Sequence, residues 1–364
     1  MNSLVIVGRY PSPGRRLEGM VQRILNIDSQ IAEYPRTYLD LYVLKHLCRT
    51  QKRFGETRVF TASFLHVWSI LRILRQAREI YVHSIYFYAL ILLPLMFVSR
   101  RTRVILDVHG TVPEEIEHSG NRYLARLMGG VERIAFSRIA LAVCVTRRME
   151  SFYRSKYPNT TAEFLYLPIF TAKVCRPANP VEVDSLRASY GISQEAVVIL
   201  YSGGLQPWQN VDRMLSVTER LLSLQNCWFI FLTGETLSLT EKFKRKFGCV
   251  PQRVVIAHSA PDELRNYYEL ADFGFILRED HILNRVANPT KLVEYLYFGI
   301  RPIVLSADIG DFVSLGYEYI SIDALDEIGT KRPKSSINCG ISLKLLEDAR
   351  SSNIASHLGR VSTR

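Results

Sequence analysis

Short apolar runs alternate with segments of helical period along most of the chain, an alternation that predicts parallel strands joined by crossover helices. In the first half the runs place strands at about 3–7, 38–43, 58–62, 79–83, 103–108, 141–145 and 163–166, with helical patterns at 20–33, 65–76, 85–98, 121–136 and 147–157. The second half repeats the scheme. Its strands fall at 196–202, 228–233, 254–256, 273–277, 302–305 and 319–322, and its helices at 210–224, 239–247, 260–270 and 290–298. Between the halves, Pro168, Pro177 and Pro180 interrupt a stretch with no sustained apolar period, which reads as a linker. The expected organisation is an α/β domain over 1–170, a linker over 171–190, a second α/β domain over 191–340, and a closing helical segment over 341–364 that could cross back to the first domain.

One run departs from the scheme. Residues 80–98 are nearly apolar and approach the length that spans a bilayer, but Tyr81, His83, Ser84, Tyr86 and Tyr88 dilute them. With Ser84 read as a helix cap, the run divides into a buried strand at 80–83 and a greasy helix at 85–98, trailed by Arg100, Arg101 and Arg103. Such a helix suits a core or a membrane interface better than a span.

Composition sharpens this picture. A length of 364 residues accommodates two domains, and 48% hydrophobic with 22% charged residues is ordinary for a globular protein. The net charge of +11 is uneven: residues 1–180 hold 26 Lys+Arg against 13 Asp+Glu, whereas 181–364 hold 20 against 22. A basic half beside a near-neutral one suggests that the first half faces something anionic. No zinc-ligand spacing or RNA-binding aromatic signature supports nucleic acid, which leaves an anionic membrane surface or a lipid-diphosphate acceptor as the better partner. The six cysteines are scattered without a C-x-x-C pair, as expected in a reducing compartment. The first residues read as a strand rather than a signal peptide, so the expected location is cytoplasmic.

The candidate chemistry gathers where strands end. After the strand at 273–277 come Arg278, Glu279 and Asp280, then Asn284 and Arg285, and Pro289 and Thr290 open a helix that carries Lys291 and Glu294. Gly299 closes that helix. A helix start at the carboxyl end of a strand favours anions, because backbone N–H groups and the helix dipole point at the ligand. Lys291 adds a charge, and Glu294 an acceptor suited to sugar hydroxyls. Ser202, Gly203, Gly204 and Gln209 form a second strand-to-helix turn, in which glycine lets the backbone approach a phosphate closely. In the first half, Asp107 and His109 end a strand where α/β folds place ligands, followed by Glu114 and Glu115. A Gly/Pro-rich loop after the first strand offers Gly14, Arg15, Arg16 and Gly19. That loop matches neither a dinucleotide nor a Walker fingerprint.

The segment from Arg278 to Tyr295 resembles the donor-binding signature of glycosyltransferase family 4, and looks most like the bacterial members that build capsule, O-antigen and exopolysaccharide. The matching residues are Arg278, Glu279, Asp280, Asn284, Arg285, Pro289, Lys291, Glu294 and Tyr295. The resemblance implies a retaining enzyme of the GT-B fold, two Rossmann-like parallel-sheet domains facing a cleft. The second domain would hold a nucleotide-diphosphate sugar and the first a lipid-linked glycan acceptor, at the inner face of the cell membrane. It further implies His109, Glu279, Lys291 and Glu294 as catalytic, and Gly14, Gly203, Gly204, Gln209, Arg278, Asp280, Asn284, Arg285, Pro289 and Thr290 as donor-binding. Two positions depart from the pattern: Val286 stands where the family usually has a second Glu, and Gln209 where Lys or Arg is frequent. Phosphate neutralisation should then shift to Lys291 and Arg285. No D-x-D pair ends a strand, so no metal is expected to be required. A sugar-nucleotide epimerase and a non-catalytic GT-B scaffold subunit are the alternatives.

Overall fold

The computed structural model describes residues 4–11, 19–43, 49–170, 174–260, 262–330, 333–352 and 354–358. Gly14, Arg15 and Arg16, singled out above, lie outside them. The chain divides into two compact units, Met1–Ile169 with Asp348–Arg364, and Phe170–Glu347.

The first unit is an eight-stranded sheet with the elements β1 (Leu4–Val7), α1 (Gly19–Gln30), β2 (Arg36–Tyr42), β3 (Thr50–Phe54), β4 (Thr57–Ser63), α2 (Val67–Arg75), β5 (Glu79–His83), α3 (Ser84–Met96), β6 (Arg103–Val108), α4 (Val112–His118), α5 (Arg122–Phe136), β7 (Leu141–Cys144), α6 (Arg147–Lys156) and β8 (Glu163–Tyr166). Its order is β3-β4-β2-β1-β5-β6-β7-β8, parallel except for β3. Strand β3 was not anticipated. All five of its residues are exposed, so the sequence Thr-Gln-Lys-Arg-Phe carries no apolar alternation, and a turn at Gly55 with φ +56 folds it back on β4. Ser84 is not the cap expected of it. His83 takes that position, and buried Ser84 opens α3 at φ +74, a strained conformation for a side chain other than glycine. Helix α3 spans 13 residues, and among the described residues no helix is long and apolar enough to cross a membrane.

The second unit holds α7 (Pro180–Ser189), β9 (Val197–Ser202), α8 (Val211–Leu222), β10 (Cys227–Leu232), α9 (Thr236–Phe247), β11 (Val254–Ala257), α10 (Leu264–Leu270), β12 (Phe273–Ile276), α11 (Ile282–Arg285), α12 (Thr290–Tyr297), β13 (Arg301–Val304), β14 (Ile320–Ser321) and most of α13 (Ser336–Ser351), whose residues from Asp348 on belong to the first. Helix α7 occupies the Pro-rich stretch expected to be irregular. Pro180 sits in its first turn, where proline is tolerated, and Asn179 caps it by accepting from the Val181 N–H at 3.1 Å. The sheet is parallel throughout, in the order β11-β10-β9-β12-β13-β14.

Both orders reverse at one strand. From β9 the chain moves outward to β10 and β11, then returns on the other side at β12; from β1 it moves to β2 and β4, then returns at β5. Ligands of open parallel sheets bind outside the carboxyl ends of strands at such a switch point. In the second unit that point falls between Ser202 and Leu277, in the first between Gly8 and His83. The cores beneath are apolar, with Ile199, Phe229, Phe231 and Phe275 at the centre of one, and Ile6, Tyr81, Ile105 and Val143 at the centre of the other.

Candidate functional site

In the second unit the switch point is furnished from three segments. Strand β9 delivers Tyr201, Ser202 and Gly203, the chain after β12 delivers Arg278, and α12 delivers Lys291 and Glu294. The Lys291 ammonium lies 4.0 Å from the centre of the Tyr201 ring and donates to Gln209 Oε1 at 3.3 Å. Gly203 makes that placement possible: at its φ of +145, a Cβ would stand 2.8 Å from the Lys291 Nζ. Burial, and then the Arg278 guanidinium, push the ammonium down to about 7 against the pull of Glu294. Burial also lowers Arg278, which donates to Asn284 Oδ1 at 3.1 Å. Two basic groups thus share a largely desolvated spot beside the first turn of α12, where Pro289 is the cap and the leading N–H groups have no intrahelical acceptor. An anion relieves all of these at once.

Glu294 sits one turn below, 7% exposed, and accepts from the Tyr268 hydroxyl at 2.9 Å. Tyr268 in turn meets Ser202 Oγ at 2.7 Å, and the Ser202 N–H donates to the Tyr295 hydroxyl at 3.2 Å. Burial, and then Glu294, raise the Tyr268 phenol well above its ordinary value, so it stays a donor and fixes the carboxylate. Tyr201 and Tyr268 were not among the residues predicted from sequence, and Ser202 only as part of the strand-to-helix turn. Ser202 was visible as the last strand residue before Gly203-Gly204; Tyr268, inside an ordinary helical pattern, gave no signal.

The structure brings Gly203, Gly204, Gln209, Arg278, Asn284, Pro289, Thr290, Lys291 and Glu294 to this one end of the sheet, and treats the acidic loop differently. Arg285, expected to neutralise phosphate, is held by both oxygens of Asp280 at 2.7 and 2.9 Å, with Asp308 3.4 Å away. Its charge is already met by two carboxylates. Asp280 is likewise committed, and the Arg285 hydrogen bonds hold its carboxyl below the usual range. Glu279 is exposed, and its carbonyl accepts from Asn284 Nδ2 at 2.8 Å. Val286 is buried at 3% exposure.

The first unit builds its own polar cluster at its switch point. Arg23, 1% exposed on α1, donates through Nε and Nη2 to Asp107 at 3.2 and 3.1 Å, and through Nη1 to the Leu167 carbonyl at 2.9 Å. His83 Nδ1 lies 3.4 Å and His109 Nε2 3.3 Å from the same Asp107 Oδ2. Burial alone would raise the Asp107 carboxyl, but Arg23 and the imidazoles outweigh it and hold the group well below the carboxylate range. His83 Nδ1 and His109 Nε2 also lie 3.3 Å from each other, so the two imidazoles and the carboxylate form one hydrogen-bonded cluster. Three ligand atoms of His83, Asp107 and His109 lie within 4.8 Å of one another, a spacing that could hold a metal ion. Gly8 belongs to the same arrangement, since a Cβ there would stand 2.8 Å from His83 Cδ2. Arg23 was legible in principle as a charge on the stripe of Ile24, Ile27 and Ile31. Glu114, which follows His109 in the sequence, is engaged by Lys156 at 2.6 Å.

No family model matches the sequence. No curated protein matches it either. Among solved structures, the chain is similar to a sucrose-phosphate synthase from Thermosynechococcus elongatus, with a TM-score of 0.68 at 10% identity over 99% of this chain and 98% of that one. It is similar to HepE from Anabaena, solved in complex with UDP (TM-score 0.67, 11% identity, 98% and 99% covered). It is also similar to WaaG, a glycosyltransferase involved in lipopolysaccharide biosynthesis (0.66, 12%, 99% and 100%). The architecture is therefore that of GT-B glycosyltransferases, two α/β units with parallel sheets, as the resemblance implied.

Proposed function

We propose that the protein is a glycosyltransferase that takes a sugar from a nucleoside diphosphate donor, with uridine as the first base to test because HepE is solved with UDP and with UDP-glucose. One observation carries the reading: the half-buried Lys291 ammonium in the first turn of α12 sits over the Tyr201 ring, close enough to the half-buried Arg278 guanidinium to be depressed by it, and one turn from a carboxylate anchored by Tyr268. The basic pair and helix dipole suit a diphosphate, and Glu294 suits sugar hydroxyls.

In the proposed reaction the bond from the anomeric carbon to the β-phosphate oxygen breaks and an acceptor hydroxyl oxygen bonds to that carbon. The hydroxyl proton passes to the departing phosphate, on the same face, with retention. The work of the protein is electrostatic, since Lys291, Arg278 and the helix start stabilise charge that grows on the diphosphate as it leaves. Lys291 and Glu294 remain our catalytic assignments, and His109 and Glu279 the other two; Glu279, exposed on its loop, is the weakest of the four. The proposed acceptor is a lipid-linked or growing surface glycan, and the proposed place of work the inner face of a bacterial membrane, which the basic first half supports.

Nucleotide release from a panel of sugar nucleotides, with and without lipid acceptor, tests the reading. Acceptor-dependent release of UDP supports it. Conversion of the donor without acceptor would indicate an epimerase, and donor binding without turnover a scaffold, a reading that buried Val286 and neutralised Arg285 favour.

A further inference from the structure

Helices α2, α3 and α5 lie side by side on one face of the first sheet. Their outward positions are unusual. Leu93, Met96, Phe97, Tyr123 and Leu127 are exposed by 57–86%, and the single acid in the three helices, Glu132, is fully buried. Arginines surround the apolar residues: Arg75 and Arg138 donate to the Phe97 and Ser99 carbonyls at 3.2 and 2.9 Å, and Arg100 and Arg101 are exposed beside them. Arg103, expected with that pair, instead starts β6 and meets Glu79 at 3.1 Å.

Beside this face, between α2 and the edge strands, lies a cavity of about 460 Å³ lined by Arg49, Arg58, Arg72, Trp68 and Ser69, among others. None of its lining residues is acidic. Arg49 donates to Ser69 Oγ at 2.9 Å, which pre-positions its guanidinium. Thr37, 4% exposed, also lines the cavity, and its hydroxyl finds no partner among the described residues. Three guanidinium groups in a lining that holds no acid suit an anion, since phosphate oxygens accept from each of them. The site shares no residue with the His83–Asp107–His109 cluster.

We propose that this cavity holds the phosphate of an anionic phospholipid and that the α2–α3–α5 face rests on the bilayer around it. The apolar residues enter the interface while the arginines meet headgroups, so a lipid phosphate, unlike a free one, engages the cavity and the face together. This names the surface behind the membrane placement proposed above, yet its test does not depend on glycosyl transfer.

Flotation of the full chain with phosphatidylcholine vesicles, with and without about 30% phosphatidylglycerol, decides the matter. Wild type should float with the anionic vesicles, and less so at high salt. The double variant Arg58→Gln/Arg72→Gln should lower partitioning about 30-fold, at about 2 kcal/mol for the pair, and Arg58→Lys/Arg72→Lys should restore most of it. Phe97→Glu, outside the cavity, should weaken binding independently. All these positions are exposed, and an unchanged melting temperature verifies the fold. Equal flotation of wild type and the Gln pair overturns the cavity assignment. Binding of inorganic phosphate with no flotation assigns the cavity to a soluble anion and overturns the proposal. Loss of a dimer in Phe97→Glu, with no vesicle binding by wild type, makes the face a contact between copies and overturns it too. UDP-glucose binding, measured on the same variants, should not change; its absence in wild type would sink the transferase reading alone.

Discussion

Lys291 concentrates the electrostatics of the second unit. Burial, and then Arg278, push its ammonium down to about 7, and a bound diphosphate must raise that value, so binding takes up a proton at and above neutral pH. UDP-glucose affinity should therefore be flat below about pH 6.5 and fall towards tenfold per unit above about 7.5, until the proton affinity of the complex is reached. Calorimetry in buffers of different ionisation enthalpy would reveal the proton; a pH-independent affinity would mean that Lys291 does not meet the ligand. Stability of the unliganded protein runs the other way. Below about 7 both folded and unfolded Lys291 are charged, whereas between about 7 and 10.5 only the unfolded one is, so this group favours folding as pH rises through that window. A related prediction concerns Asp107. Asp107→Asn leaves the Arg23 guanidinium buried without its counter-charge and should cost about 3–5 kcal/mol, read by urea unfolding; a loss below about 1 kcal/mol would contradict the ion-pair account. At this scale the sequence was informative where chemistry and chain punctuation coincide, as at Lys291 and Glu294. At Arg285 it could not show that Asp280 and Asp308 face the guanidinium, which only the folded loop brings together. It was silent about Tyr268, whose role depends on a carboxylate 26 residues away.

Elements were legible wherever one face is buried. The parallel strands emerged from their apolar runs to within a few residues, and so did most crossover helices. Strand β3 escaped because a fully exposed edge strand has no burial to impose a pattern, and α7 because its prolines, read as breakers, sit before and at the first turn, where they are harmless. Strand β12 carries a constraint that the pattern alone conceals. Gly274 lies mid-strand, and a Cβ there would stand 2.4 Å from the Tyr295 ring on α12. Gly274→Ala should therefore displace α12 from β12, costing about 1–3 kcal/mol and weakening nucleotide binding together with stability. Thermal unfolding and UDP titration on the one variant check both halves, and a variant with wild-type melting and affinity would remove the coupling of strand to site.

For the whole molecule, the two-sheet organisation was readable from the repeated alternation, while the closure of the chain was only a possibility. The last described residues belong to the first unit: Ile354 and Leu358 are buried in the core that contains Ile24, Ile27 and Ile31, and the Ile354 N–H donates to Gln30 Oε1 at 3.1 Å. Truncation after Glu347 should uncover that stripe and lower stability by about 3–6 kcal/mol as an upper estimate, at about 1.5–3 per large apolar side chain. Differential scanning calorimetry of the truncated chain would show it, and an unchanged melting temperature would mean that the terminal segment only decorates the first unit. The central claim is that the carboxyl end of the second sheet is a donor site whose anion is met at Lys291. Calorimetric titration of UDP-glucose into wild type and Lys291→Ala at pH 6.5 addresses it most directly. Saturable binding by wild type, weakened about 10- to 150-fold in the folded variant by loss of a charge-assisted contact of about 1.5–3 kcal/mol, is the predicted result; equal affinity in the two proteins, or no binding of any nucleoside diphosphate sugar by wild type, would contradict it.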